Sequence, residues 1–98
     1  MILATVSREK KRIEYMLKKY KKEQERLPKG TVCEKNVGNR VYYYLKYRDG
    51  KRVVSQYISK ARISEIREQI EKRKHIEAMI KSLQEELSIA NKILEEEL

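Results

Sequence analysis

A chain of 98 residues with 40% hydrophobic and 40% charged content makes one small domain whose own core is modest, so self-association is expected to supply further burial. With no Trp or Phe, packing falls to Ile, Leu, Val and Tyr, and several Tyr hydroxyls must reach water or a partner. A single cysteine, Cys33, excludes an intramolecular disulfide, and with one distant histidine, His75, it makes a poor metal site; a reducing cytoplasm is the expected compartment, and no cofactor is expected.

The formal charge of +9 is unevenly spread. Residues 1 to 62 hold 18 Lys or Arg against 6 Asp or Glu, and residues 63 to 98 hold 6 against 9, giving +12 and then −3. A basic front and a mildly acidic rear suit contact with a polyanion, suit two copies meeting basic end to acidic end, and serve plain solubility.

The opening Met1 to Val6 is apolar but too short for a signal-peptide core or a membrane span, and reads as a flexible lead or a first helical turn. From Ser7, a candidate N-cap, Ile13, Met16, Leu17, Tyr20 and Leu27 mark one face of a helix ending near Arg26. The opposite face is basic: Arg8, Lys11, Arg12, Lys18, Lys19 and Lys22. Leu27-Pro28-Lys29-Gly30 then imposes a turn.

Thr31 to Val37 reads as a first strand, Gly38-Asn39 as a tight turn, Arg40 to Arg48 as a second strand and Lys51 to Ser59 as a third, an antiparallel meander. With Asp49-Gly50 as the central turn residues, Tyr47 faces Arg52, Leu45 faces Val54, Tyr43 faces Gln56 and Val41 faces Ile58 on the side expected to be core. Arg48 faces Lys51, Lys46 faces Val53, Tyr44 faces Ser55 and Tyr42 faces Tyr57 on the other. The face taken by Cys33 depends on the register of the Gly38 turn.

From about Ser64 the chain reads as one helix of some 35 residues, about 50 Å long, which a strand of about 23 Å cannot cover. Ile63, Ile66 and Ile70 form a stripe assigned to packing on the sheet. Ile76, Ile80, Leu83, Leu87, Ala90 and Leu94 alternate spacings of 4 and 3, a coiled-coil seam, with Met79, Ile89 and Ile93 widening it. The first helix, at about 20 residues, is too short to cover both this seam and the sheet, so a homodimer through the last helix is expected, with a monomeric helical hairpin or a contact formed only in a crystal as the alternatives.

Tyr42, Tyr44 and Tyr57 with Lys46, Arg48, Lys51 and Arg52 offer rings for bases and cations for phosphates. Lys18 and Lys22 offer a second basic surface. Tyrosine is also a favoured strand residue, and this face has the simpler reading of a surface covered by a helix or a second subunit. Membrane-surface binding is not expected, because the apolar face of the first helix is narrow and needed for packing. Cys33 lacks an activating neighbour, His75 reads as a solvated or interface residue, and Glu85-Glu86 and Glu95-Glu96-Glu97 read as a solvated helical rim. No paired acid and base, activated nucleophile or phosphate-binding glycine loop is visible, so no enzyme is expected.

Leu27-Pro28-Lys29-Gly30-Thr31, followed by Tyr42-Tyr43-Tyr44-Leu45-Lys46-Tyr47-Arg48, Gly50-Lys51 and Tyr57-Ile58, resembles a group of small uncharacterised bacterial and mobile-element proteins with a Leu-Pro-x-Gly turn and a Tyr-rich strand. The likeness covers residues 27 to 59 and implies a helix, three strands and a helix as one unit, with no activity attached. Asp49, Gly50, Lys51 and Arg52 look similar to the hairpin in the three-stranded, DNA-contacting N-terminal domains of some tyrosine recombinases, which implies only a sheet-to-DNA mode of contact.

The sequence thus predicts an α+β domain over residues 1 to 98 with a dimerising helical extension over 76 to 98. Its expected role is non-enzymatic nucleic-acid binding, with a protein-interaction adaptor or mobile-element inhibitor as the alternative.

Overall fold

The structure, a computed structural model, describes residues 2 to 96. The chain is α+β: α1 (Ile2–Arg26), β1 (Thr31–Val37), β2 (Arg40–Asp49), β3 (Arg52–Ile58) and α2 (Ile63–Glu96), with the strands in one antiparallel sheet of order β1-β2-β3. It divides into two compact units, one spanning Leu27–Lys74 and the other formed by α1 with α2 from His75 onward. The unbroken α2 therefore contributes its first turns to the sheet unit and its remainder to the helical unit.

In the sheet unit, Gly38 and Asn39 are the central residues of the first hairpin, with Val37 opposite Arg40, as the sequence predicts. The second hairpin corrects the expected register. Asp49 pairs with Arg52, Tyr47 with Val54, Leu45 with Gln56, Tyr44 with Tyr57 and Tyr43 with Ile58, so Gly50 and Lys51, rather than Asp49 and Gly50, form the turn. The cause is local. Gly50 has φ of 62° and, among the described residues, no non-glycine residue has positive φ, which is the φ pattern of a type II′ turn with Gly at its first central position. This register also sets Asp49 against Arg52, whereas the expected one would have opposed Arg48 to Lys51. The slip is two residues, so each side chain keeps its face.

Leu45, Ile58 and Ile70 form the buried core of this unit, with Val32, Tyr43, Tyr47, Ile63 and Ile66 packed against them. The stripe Ile63, Ile66 and Ile70 thus sits on the sheet as its spacing predicts, because three strands present one apolar face and a helix must cover it. Arg62 donates its N–H to the Ser59 carbonyl at 3.0 Å, closing the turn that leads into α2. Arg73, which interrupts the apolar stripe, donates to the Leu27 carbonyl at 2.6 Å and so fastens the start of the unit to α2. Arg67 reaches Glu34 at 3.3 Å and lies over the Tyr43 ring at 5.5 Å. The ion pair is 52% and 56% exposed, so Arg67→Ala is expected to cost no more than about 1 kcal/mol in urea unfolding.

In the helical unit, α1 begins at Ile2, five residues before the expected Ser7. Ile13 and Leu17 are its buried residues, and on α2 Ile76, Ile80, Leu83 and Ala90 are buried, with Met79, Leu87 and Leu94 half-buried. Gln24 lies 3.5 Å from Glu77. Because the buried α2 positions run onward from Glu77 while those of α1 run back from Gln24, the helices pair antiparallel. Of the expected dimer seam, Ile76, Ile80, Leu83 and Ala90 are thus buried, and Leu87 and Leu94 half-buried, within the single chain. The length argument asked α1 to cover the sheet as well as the seam. The first turns of α2 cover the sheet, leaving α1 for the seam. Ile89 stays 60% exposed and does not widen the stripe.

Candidate nucleic-acid interface

Strand alternation divides the sheet's side chains between two faces. Tyr43, Leu45 and Tyr47 of β2 point to the α2 side, so Arg40, Tyr42, Tyr44, Lys46 and Arg48 point to the other. The pairings add Val37, Lys35, Cys33 and Thr31 from β1 and Tyr57, Ser55 and Val53 from β3 to that second face.

The residues form rows across the sheet. Val37 and Arg40 lie at one end, followed by Lys35 and Tyr42. Cys33, Tyr44 and Tyr57 cross the middle, then Thr31, Lys46 and Ser55, and Arg48 with Val53 closes the far end. Tyrosines occupy the centre and cations flank them on both sides. Lys35, Arg40, Lys46 and Arg48 give this face four positive charges, and it carries no Asp or Glu. Glu34 and Asp49 fall on the opposite face, where Glu34 meets Arg67. Among the described residues, no carboxylate forms a salt bridge with any of the four cations.

Tyr42 and Tyr44 are half-buried, whereas Tyr57 is 58% exposed and meets Tyr44 edge to face, with centroids 5.9 Å apart and planes at 69°. An edge-on pair holds one ring upright beside the other and leaves ring surface open to a stacking partner. Beside it lies a hollow of about 430 Å³ lined by Cys33, Glu34, Lys35, Tyr44, Lys46 and Ser55. A second hollow of about 300 Å³, lined by Gly30, Thr31, Val32, Arg67, Ile70, Glu71 and Lys74, has mixed charge. Among the described residues, no group of three His, Cys, Asp or Glu is placed to hold a metal ion, and no helix is long and apolar enough to cross a membrane.

Of the sequence-predicted contacts, Tyr42, Tyr44, Tyr57, Lys46 and Arg48 share this face. Lys51 sits in the adjoining turn, and Arg52, paired with Asp49, belongs to the opposite face. Lys18 and Lys22 are exposed on α1 in the helical unit. Sequence reasoning missed Lys35 and Arg40. The signal for both is the Gly38-Asn39 turn, which, once its register is taken literally, sends Lys35 and Arg40 to the side of Tyr42.

The chain belongs to the family described as a domain of unknown function, DUF6788, whose model matches residues 6–68. That range takes in α1 from Val6, the whole sheet and the start of α2. No curated protein and no solved structure matches the chain.

Proposed function

We propose that this member of the DUF6788 family is a non-enzymatic nucleic-acid-binding protein of the cytoplasm, and that the open face of its sheet is the contact surface. One observation carries the reading: a solvent-facing sheet surface with Lys35, Arg40, Lys46 and Arg48 around Tyr42, Tyr44 and Tyr57, and no carboxylate among them. Four unneutralised cations on one face attract a polyanion and release its counterions, and the rings add sequence-tolerant contact with bases. The net positive charge of the chain draws the partner in from a distance. The lone Cys33 supports the reducing compartment.

A titration against labelled DNA and RNA at several salt concentrations tests this. Four phosphate contacts give a slope of log affinity against log salt of about −3 to −4. Lys46→Glu with Arg48→Glu, both exposed, should lower affinity at least tenfold and flatten the slope by about 2. A doubly reversed protein that binds unchanged would refute the reading and favour the alternative, an adaptor or inhibitor that docks this face on another protein.

A further inference from the structure

We infer that the open sheet face takes single-stranded rather than duplex nucleic acid, with Tyr57 as a stacking platform and the chain of nucleotides running along β2. This rests on the reading above and names its substrate class. Three features carry it.

The first is what occupies the centre of the face. Reading a duplex through its major groove needs donors and acceptors that reach base edges, supplied by Arg, Asn or Gln. Here the middle row is Cys33, Tyr44 and Tyr57, and the cations stand in the rows on either side of it. Rings meet bases by their faces, and base faces are available only where the bases are unstacked.

The second is spacing. Tyr42 and Tyr44 are two residues apart on one strand, about 6.7 Å, whereas bases stacked in a duplex rise about 3.4 Å apart on each strand. Neighbouring bases reach neighbouring tyrosines only when the strand is opened to about twice its stacked rise.

The third is how the charges bracket the rings. Arg40 and Arg48 lie at the two ends of the β2 row, about 27 Å apart along the strand, with Lys35 and Lys46 inside them on either side of the aromatic centre. A single strand laid along β2 meets a cation, then rings, then a cation. The length admits on the order of four nucleotides, the low end of the site sizes known for sheet-based single-strand binders.

Cys33 supplies a built-in reporter, because it is the chain's one cysteine, half-buried in the row of Tyr44 and Tyr57. A strand stacked on Tyr57 would shield its thiol.

The test compares a mixed-sequence 12-nucleotide single strand, as DNA and as RNA, with a duplex of the same sequence at one salt concentration. The single strand should bind at least about tenfold more tightly, and saturating it should slow labelling of Cys33 by a small thiol reagent. Tyr57→Ala should lose about tenfold in single-strand affinity, while Tyr57→Phe, which keeps the ring, should match the original. Tyr57 is more than half exposed, so both variants should keep the thermal midpoint, which is measured alongside. Duplex binding equal to or tighter than single-strand binding overturns this inference and leaves the broader nucleic-acid reading standing. So does an unchanged Tyr57→Ala. Failure of both the single strand and the duplex to bind overturns both readings.

Discussion

Gly30→Ala is expected to cost the sheet unit roughly 3 kcal/mol or more, the largest effect of the three glycine-to-alanine changes. Gly30 follows Pro28 and turns the chain into β1 with φ of 119°, a region L-residues rarely enter. Space is as restrictive as the dihedral. A Cβ at this position would drive into the carbonyl oxygen of Lys46 and come within 3.0 Å of the Tyr47 Cβ. Both obstacles belong to β2, the central strand, so neither can yield without disturbing pairing on both sides. Gly38→Ala and Gly50→Ala provide the comparison, with φ of 61° and 62° and nothing within 4 Å of the added atom. Each should cost only the left-handed backbone penalty of about 1 to 2 kcal/mol. Urea unfolding of the three variants should rank Gly30→Ala well below the other two. A Gly30→Ala protein as stable as Gly50→Ala would mean that β1 does not enter the sheet through this close approach.

The same glycine shows what kind of information the sequence carries. Leu27-Pro28-Lys29-Gly30 announces a turn by composition, but the reason only glycine fits is a contact with Lys46 and Tyr47, sixteen and seventeen residues onward, which no local pattern reports. The second hairpin teaches a related lesson. Asp-Gly is a strong turn signal, yet the turn is Gly50-Lys51, since a type II′ turn wants glycine first and Asp49 gains Arg52 as its cross-strand neighbour. Side-chain alternation survived that slip because it moved the pairing by two residues. The core residues Leu45, Ile58 and Ile70 and the placement of Tyr42, Tyr44 and Tyr57 together on the other face were therefore legible although every pair across the second hairpin was misassigned; whether that second face is covered was not. Burial pattern is robust to even shifts; neighbour identity is not.

Charge along the chain was legible as a number but ambiguous in meaning, and the fold separates its two components. α1 carries nine Lys or Arg against four Glu, while residues 75–96 carry two Lys against five Glu. These two segments form one compact unit, so the acidic end of α2 offsets part of the positive charge of α1 at long range inside the helical hairpin. A second copy is not required for the two ends to meet. The four cations of the open sheet face are different, because the sheet's own carboxylates Glu34 and Asp49 lie on the reverse side. Charge that has no counterpart in its own layer is the better evidence for an outside partner than the net total of +9.

Ile76→Ala should destabilise the helical unit by about 2 to 4 kcal/mol, and its unfolding midpoint should not depend on protein concentration. Ile76 is 3% exposed within the single chain, one of the two lowest values in the buried core of the described residues, and it lies one residue from Glu77, whose carboxylate meets Gln24 of α1. Truncation to Ala removes three carbons from a buried site and leaves a void that the surroundings fill only in part. A loss of that size is a large share of the 5 to 15 kcal/mol that holds a small domain together. Concentration is what separates a seam closed within one chain from one closed between two. Stability that draws on a second copy rises with concentration by mass action, so a midpoint followed over a roughly hundredfold range should move if Ile76, Ile80, Leu83 and Ala90 are buried between chains. With α1 covering them, both the original and the Ile76→Ala protein should unfold at midpoints that stay fixed across that range, separated from each other by the same interval throughout. A midpoint that climbs with concentration would return these residues to a dimer interface and release α1 from the role its buried Ile13 and Leu17 assign it.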